Sequence, residues 1–237
     1  MKVTLLGAGG GTAATLTDQG RRALETADLI VGAERLLAGL PSGLATQRIR
    51  AVQPWDILRI LQSAEFSHAC VVYSGDTGFY SGARSLLPLL DGFQVEVLPG
   101  VSCVQALSAT LGRPWQNWRL VSAHGVDCDV VHEVMQGSPT LFLTGGRKDP
   151  STLCRTLVQA GLGDLPVTVG ENLTRPEQAI RTGTARAFSG ETFSPLSVLL
   201  VEPAPLSPRR SPGWPDSDFI RADGVPMTKQ EVRAAIL

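Results

Sequence analysis

Short apolar runs alternate with helical patterns along the first half of the chain. Four runs rich in Val, Ile and Leu are typical of β-strands, at residues 3–6, 28–31, 69–73 and 94–98. Helical patterns lie between them, over residues 17–27, 54–64 and 102–112. Thr17 and Ser102 suit N-cap positions, and Pro54 suits the first turn of a helix. Strand followed by helix, repeated, predicts a mainly parallel sheet covered by helices.

The pattern starts again after the turn-forming sequence Gly112-Arg113-Pro114. Four further strands are predicted, at residues 119–122, 140–143, 167–169 and 197–201, with helices at residues 129–136 and 150–160. We therefore expect an α/β protein with two α/β domains, residues 1–114 and 115–203. Five prolines between positions 203 and 215 predict that residues 204–237 hold a linker and the start of another module.

The charge balance excludes some classes of partner. The 21 Lys and Arg residues and 22 Asp and Glu residues give a formal net charge of -1, so no overall basic field favours nucleic acid or an anionic membrane. An anionic ligand must then be held by a local cluster. Only Lys2, Lys148 and Lys229 are lysines, so arginine would supply that cluster.

Neither a membrane span nor a secretory signal is predicted. The longest stretch without charge, residues 97–112, contains Pro99, Gly100 and several polar residues, and the apolar run at the N-terminus is too short for a signal. The four cysteines form no CxxC pair, which argues against a disulfide framework and a zinc knuckle. We expect a cytoplasmic protein with reduced thiols.

Three adjacent glycines, Gly9 to Gly11, lie in the loop after the first strand, Gly7-Ala8-Gly9-Gly10-Gly11-Thr12. This place between strand and helix is that of a dinucleotide fingerprint, but the third glycine of GxGxxG is replaced by Thr12. A nicotinamide cofactor is therefore disfavoured. The glycines fit either a plain tight turn or a loop whose backbone approaches a ligand closely.

Two other predicted strands also end in polar, glycine-containing loops. In Ser74-Gly75-Asp76-Thr77-Gly78, Asp76 is placed either to contact a ligand at the carboxyl end of the sheet or to cap the following helix. Pro99-Gly100-Val101-Ser102-Cys103 resembles a hydrolase nucleophile elbow, but Val104 stands where that motif has glycine and no late histidine follows. Its backbone amides suit a ligand carboxylate instead.

His124, Cys128 and His132 have the four-residue spacing of metal ligands on one helical face. Gly125 makes one unbroken helix through them improbable, so we predict no metal site. His124 follows the predicted strand 119–122. It is either a turn residue or a group that moves a proton in a cleft.

Taken in order, these motifs resemble those of the tetrapyrrole methylases, the S-adenosylmethionine enzymes of corrin and sirohaem synthesis. The resemblance covers about residues 1–203 and rests on the first loop, the Ser74-Gly75-Asp76 turn, Pro99-Gly100-Val101-Ser102 and Gly170-Glu171-Asn172-Leu173. Residues 31–37, 78–82 and 120–125 are most similar to the CbiE type, the precorrin-7 carbon-5 methyltransferases.

The resemblance implies two α/β domains with S-adenosylmethionine in the cleft between them, and a fold unlike that of the Rossmann-like methyltransferases. It also implies a homodimer. Carried over residue by residue, the cofactor contacts would be Gly10, Gly75, Asp76, Phe79, Ser102, Cys103, Thr144 and Leu173. Two loops depart from the family pattern: the first loop has Gly10 and Thr12 in place of proline and aspartate, and in the Ser74-Gly75-Asp76 turn Thr77 replaces the proline after Gly-Asp.

The tail extends the resemblance. Phe219-Ile220 and Pro226-Met227-Thr228-Lys229-Gln230-Glu231-Val232-Arg233 are similar to the opening of the decarboxylating CbiT type, which follows CbiE in fusions of the CobL kind, the precorrin-6Y C5,15-methyltransferases. A CbiT-like module, fused or associated, is therefore an expected partner.

The implied reaction is methylation of a precorrin meso carbon, most simply carbon 5 of precorrin-7, in cobalamin synthesis. Most of the rate of such a reaction should come from holding the two reactants in line, so no catalytic triad is required. His124 is the candidate for proton transfer, and four arginines are candidates for binding the carboxylates of the macrocycle: Arg35, Arg84, Arg113 and Arg147. Alternatives are another tetrapyrrole methylase such as a uroporphyrinogen III methyltransferase, a nucleotide-dependent dehydrogenase, or a non-catalytic binding domain.

Overall fold

The structure is a computed structural model that describes residues 1–41, 43–44, 47–125, 127–204, 219 and 228–236. Residues 1–204 form one compact unit and residues 205–237 form another. Within the first unit the strands make two separate five-stranded sheets. We call residues 2–111, which carry the first sheet, the first lobe, and residues 119–204, which carry the second sheet, the second lobe.

The first sheet is entirely parallel. Its strands are β1 (Lys2–Gly7), β2 (Leu29–Gly32), β3 (Gln47–Arg50), β4 (His68–Tyr73) and β5 (Gln94–Leu98), in the spatial order β3-β2-β4-β1-β5. The helices are α1 (Asp18–Glu25), α2 (Glu34–Ala38), α3 (Pro54–Ser63), α4 (Ala83–Leu86) and α5 (Cys103–Leu111), with short 3-10 turns at Ala13–Thr15 and Leu87–Leu89. Parallel strands bring the loops after β1, β4 and β5 to one edge of the sheet.

Both faces of this sheet are buried. Along β1, Leu6 packs with the helix α1 side of the sheet, whereas Val3 and Leu5 pack on the opposite face with Ile57 of α3 and Leu86 of α4. Burial on both faces explains why the central strands β2 and β4 are nearly continuous apolar runs. The sheet is thereby held rigidly between two helical layers, and its strand ends have fixed positions.

The predicted helix starts are confirmed by their caps. The Thr17 side chain accepts a hydrogen bond from the Gly20 N–H at 3.0 Å. Ser102 and Gln105 form a reciprocal capping box at the start of α5. Gly112 ends that helix in the left-handed conformation, with φ of 61°, as the glycine at that position predicts.

The second sheet is mixed. Its strands are β6 (Arg119–Ser122), β7 (Thr140–Leu143), β8 (Pro166–Glu171), β9 (Ala179–Thr184) and β10 (Ser197–Val201), in the order β6-β7-β10-β8-β9. Only β6 and β7 pair in parallel; β10 is antiparallel to β7 and β8, and β8 and β9 form an antiparallel pair. The helices are α6 (Val130–Val134), α7 (Pro150–Gln159) and α8 (Ala185–Phe188).

All eight predicted strands are present, but two further strands were not predicted. Strand β3 reads Gln-Arg-Ile-Arg and is mostly exposed, and β9 contains Gly183 and Arg181. Both are edge strands. An edge strand buries little side-chain surface, so its sequence carries a weak apolar signal. The expectation of mainly parallel pairing, made for the first half of the chain, is confirmed in the first sheet, whereas the second sheet is mixed.

The predicted domains 1–114 and 115–203 each contain one sheet, and the boundary between them stays a prediction. The proline-rich linker and most of the tail motif, residues 205–218 and 220–227, lie outside the described residues. The helical pattern in the tail is confirmed by α9 (Gln230–Ile236). All four cysteines are free. No helix within the described parts of the chain is both long and apolar enough to cross a membrane.

Candidate active site

A cleft of about 560 Å³ lies between the two lobes of the 1–204 unit, within the size range of small-molecule sites. The first lobe contributes the loops after β1, β4 and β5, and the second lobe contributes the ends of β6 and β7 and the loop between β8 and β9. The eight residues predicted to contact the cofactor all line it: Gly10, Gly75, Asp76, Phe79, Ser102, Cys103, Thr144 and Leu173.

Glycine backbones lock the three first-lobe loops together. Gly9 and Gly75 exchange two backbone hydrogen bonds, of 3.1 and 2.7 Å. A Cβ atom added to Gly100 would lie 2.3 Å from the Gly75 carbonyl oxygen and 2.4 Å from the Gly7 carbonyl oxygen. Only glycine permits this approach of backbone to backbone. The first loop is therefore more than a plain turn, because its glycines join it to the neighbouring strand ends.

Asp76 joins two of these loops through its carboxylate. One oxygen accepts the Gly100 N–H at 3.0 Å and the other accepts the Gly78 N–H at 2.8 Å. The alternative that Asp76 caps the following helix is wrong, since α4 begins after Gly82 and no side chain caps it. Asp76 therefore fixes the loop after β4 against the loop after β5 at the floor of the cleft.

The first residue of α5, Cys103, and its N-cap, Ser102, line the cleft. Ser102 is only 5% exposed, and its hydroxyl and backbone N–H both use Gln105 as a partner. This capping role leaves Ser102 without the histidine partner of a nucleophilic serine. Burial raises the pKa of the adjacent Cys103 thiol to about 11, so this thiol is neutral near pH 7 and is not an activated nucleophile.

In the second lobe, Thr144 and His124 follow the parallel strands β7 and β6 and line the cleft. The Thr144 hydroxyl donates to the Ser197 carbonyl oxygen at 2.6 Å. His124 packs against Gly145, where an added Cβ atom would lie only 2.0 Å from Nδ1 of the imidazole. The His124 side chain is thus positioned by the backbone of the following loop.

The structure does not bring His124, Cys128 and His132 together in the cleft. Only His124 lines it. His132 lies on α6, where its Nε2 pairs with the Gln136 amide at 3.2 Å. Among the described residues, no group of three or more His, Cys, Asp or Glu side chains is arranged to hold a metal ion.

Backbone strain is concentrated around the cleft. Tyr80, Asn172 and Thr174 are the non-glycine residues with positive φ in the described ranges, at 48°, 48° and 69°, and all three line the cleft. A Cβ atom on Gly10 would lie 2.0 Å from the Thr174 hydroxyl oxygen, so the first loop needs glycine to meet the loop after β8. Such strain is typical of functional sites.

Two buried hydroxyls in the cleft wall have no hydrogen-bond partner among the described residues, those of Tyr73 and Thr174. Buried hydroxyls usually have a partner. Burial raises the pKa of the Tyr73 hydroxyl well above its ordinary value, so it stays protonated. Sequence reasoning missed Tyr73, because it reads as the last apolar residue of a strand.

Of the four predicted carboxylate-binding arginines, only Arg35 lines the cleft. Arg84 and Arg147 are exposed elsewhere. Arg113 pairs with Glu202 and lies over the Trp118 ring, and the hydrogen bonds to Glu202 raise its pKa. The cleft contains instead Arg175, which sequence reasoning missed. Arg175 lies two positions after the motif Glu171-Asn172-Leu173, and this closeness to a family motif could have identified it from the sequence.

Comparison with known proteins agrees with this architecture. Residues 2–188 match the family described as Tetrapyrrole (Corrin/Porphyrin) Methylases. The chain belongs to this family. The predicted family is therefore confirmed, and the dehydrogenase and non-catalytic alternatives lose their support.

Relatives of this tetrapyrrole methylase include two kinds of protein. It is 29% identical over 247 residues to a Sinorhizobium precorrin-6Y C(5,15)-methyltransferase (decarboxylating), and the match covers 99% of the chain but 58% of that relative. It is 27% identical over 200 residues to a cobalt-precorrin-7 C(5)-methyltransferase of Salmonella typhimurium, covering 84% of the chain and 99% of that relative. The chain thus spans less than two thirds of the length of the decarboxylating relative.

Solved structures confirm the predicted fold class. The precorrin-6Y methylase (cbiE) of Archaeoglobus fulgidus aligns with a TM-score of 0.65 at 22% identity, covering 86% of this chain and 98% of that one. The uroporphyrin-III C-methyl transferase of Thermus thermophilus complexed with S-adenyl homocysteine aligns with a TM-score of 0.68 at 20% identity, covering 85% and 92%.

Proposed function

We propose that this chain is an S-adenosylmethionine-dependent methyltransferase that methylates a meso carbon of a precorrin, carbon 5 of precorrin-7, in cobalamin biosynthesis. The observation that carries this proposal is the presence in one cleft of all eight residues predicted to contact the cofactor. The names of the Sinorhizobium and Salmonella relatives support the substrate.

The residues of the cleft fit the cofactor. Gly75 and Ser102 present little or no side chain to the cleft, so a ligand can lie close to the main chain there, and the nearest atom to a Cβ added on Gly75 is the Ser102 Cα, at 3.7 Å. Leu173 and Phe79 offer apolar surface for the adenosine moiety. When bound, S-adenosylmethionine supplies an electrophilic methyl group on a sulfonium sulfur.

The chain's own contribution is alignment. The glycine contacts and the Asp76 carboxylate fix the three first-lobe loops relative to one another, so a ligand that binds to them has a fixed orientation. Holding two reactants in line contributes on the order of 7 to 11 kcal/mol to lowering a barrier. His124, which follows β6 and lines the cleft, is the side chain we assign to proton transfer on the ring, because an imidazole ring can both donate and accept a proton.

The wider assembly is part of the same proposal. The Sinorhizobium relative extends well beyond the matched region, which supports a CbiT-like module that acts together with this chain. A homodimer remains a prediction from the resemblance, and a cytoplasmic location remains a prediction from the sequence.

Two measurements test the proposed function. Calorimetry should detect binding of S-adenosylhomocysteine and no binding of NAD. Transfer of labelled methyl groups from S-adenosylmethionine should occur to precorrin-7 and not to uroporphyrinogen III. Failure to bind S-adenosylhomocysteine would refute the proposal, and methylation of uroporphyrinogen III alone would replace the substrate.

A further inference from the structure

Two arginines from opposite lobes approach each other at the first loop. A Cβ atom added to Gly11 would lie 3.4 Å from Nη2 of Arg175 and 3.7 Å from Nη1 of Arg35. Distances of 3.4 and 3.7 Å from one point limit the separation of these two nitrogens to about 7 Å. Arg35 belongs to α2 of the first lobe, and Arg175 follows β8 of the second.

Neither guanidinium group has an acidic partner among the described residues. Other partly buried arginines of the chain do have one. Arg113 pairs with Glu202 and Arg119 pairs with Glu133. Arg35 donates only to the Ser74 hydroxyl, at 3.3 Å, and Arg175 donates to the Gly10 carbonyl, at 3.2 and 2.9 Å. Both neutral acceptors hold the groups in place without offsetting their charge.

The surroundings leave this positive charge uncompensated. Asp76 is the only carboxylate among the described residues that line the cleft, and both of its oxygens already accept backbone N–H groups. Burial and the charge of Arg175 lower the pKa of Arg35. Two like charges in a half-buried site repel each other, so an anion bound between them would be stabilised by both.

We propose that Arg35 and Arg175 together bind one carboxylate of the macrocyclic substrate. This inference rests on the proposed function and names the group that the cleft recognises. A guanidinium group has five N–H donors, so each arginine keeps free donors beyond those used on Ser74 and Gly10. A carboxylate has two oxygens and can bridge two such groups at this separation.

The position of the pair gives the carboxylate a second role. Arg175 also holds the first loop through the Gly10 carbonyl, so a bridging carboxylate would connect α2, the first loop and the second lobe. Leu36 lies beside the same loop, 2.9 Å from the position of the added Gly11 Cβ, and is only 2% exposed, so it supports this loop from the core of the first lobe. Binding one carboxylate there would orient the ring across the cleft.

The test measures binding of uroporphyrin I, a fluorescent tetrapyrrole with eight carboxylates, in the presence of saturating S-adenosylhomocysteine. Arg35→Gln and Arg175→Gln should each weaken binding by about tenfold, as expected for loss of a charge-assisted hydrogen bond. Both arginines act on one carboxylate. The fold-reduction in affinity of the double variant should therefore be smaller than the product of the fold-reductions of the two single variants. A porphyrin with cationic substituents should show no dependence on either arginine.

Arg84→Gln is the matched control, because it removes the same charge from an exposed position outside the cleft lining and should change affinity less than twofold. Arg35→Lys should restore only part of the affinity, because lysine lacks the planar fork. The inference would be overturned if Arg35→Gln bound uroporphyrin I as tightly as the unaltered protein. It would also be overturned if the fold-reduction in affinity of the double variant equalled the product of the two single fold-reductions. Absence of S-adenosylhomocysteine binding by the unaltered protein would instead count against the proposed function.

Discussion

The two lobes build their halves of the cleft by different means. The first lobe uses backbone: parallel strands end side by side, and Gly7, Gly75 and Gly100 let their loops touch. The second lobe has a mixed sheet and uses side chains, with Thr144 and His124 fixed by neighbouring groups. It also holds Asn172 and Thr174 in strained conformations.

This difference predicts different sensitivities to substitution. A backbone-built wall tolerates changes of many side chains but does not tolerate an added Cβ atom where two backbones meet. A side-chain-built wall responds to the loss of individual polar groups. The substitutions below test this contrast, from the largest expected effect to the smallest.

Gly100→Ala should have the largest effect. The new methyl group would lie 2.3 Å from one carbonyl oxygen and 2.4 Å from another, and neither backbone can move alone, so we expect a loss of about 3 kcal/mol in the free energy of unfolding. Urea denaturation followed by circular dichroism measures this. Gly190→Ala is the control, because nothing lies within 4 Å of its added Cβ atom. Equal stability of the two variants would contradict a backbone-built first lobe.

Asp76→Ala should affect both stability and the cofactor. It leaves the Gly100 and Gly78 N–H groups without their acceptor, which costs about 1–3 kcal/mol in the free energy of unfolding. Affinity for S-adenosylhomocysteine, measured by calorimetry, should fall as the loops separate. The exposed Asp91→Ala serves as the control. Unchanged affinity would remove Asp76 from the cofactor site.

The two tyrosines of the chain should respond to loss of their hydroxyls in opposite directions. Tyr80 donates to the Leu120 carbonyl oxygen at 3.0 Å, so Tyr80→Phe should lower the free energy of unfolding by about 1 kcal/mol. Tyr73 has a buried hydroxyl without a partner among the described residues, so Tyr73→Phe should leave stability unchanged or raise it by up to about 1 kcal/mol. Thermal denaturation compares them, and a stability loss for Tyr73→Phe would show that its hydroxyl has a partner.

Asp28 should make a small, pH-dependent contribution in the first lobe. Its carboxylate accepts the His68 and Ser67 N–H groups, which lower its pKa below the ordinary value for aspartate. Stabilisation is therefore complete above the unfolded-state pKa and is lost as pH falls through the folded-state pKa. Urea denaturation of Asp28→Asn and the unaltered protein should differ at pH 6, and this difference should shrink as pH falls below the unfolded-state pKa of aspartate. A difference independent of pH would mean that the contacts do not depend on ionisation.

Residues whose role is local could be predicted from the sequence. Thr17, Ser102 and Gly112 act on the helix that they begin or end, so their neighbours along the chain define their role. The cofactor residues were found through resemblance, because motifs at strand ends keep their order along the chain. Strands β3 and β9 were missed because an edge strand pairs on one side only and buries little.

The sequence by itself determined the alternation of strand and helix, the glycine loops and the family, because each of these is expressed over a few consecutive residues. Only the tertiary structure decided that Asp76 joins two loops by hydrogen bonds, that Arg113 forms an ion pair with Glu202, and that Arg35 and Arg175 lie near each other. These pairs are separated by 24, 89 and 140 positions, and groups so far apart along the chain meet only where strand pairing within the first sheet, or packing between the two lobes, brings them together.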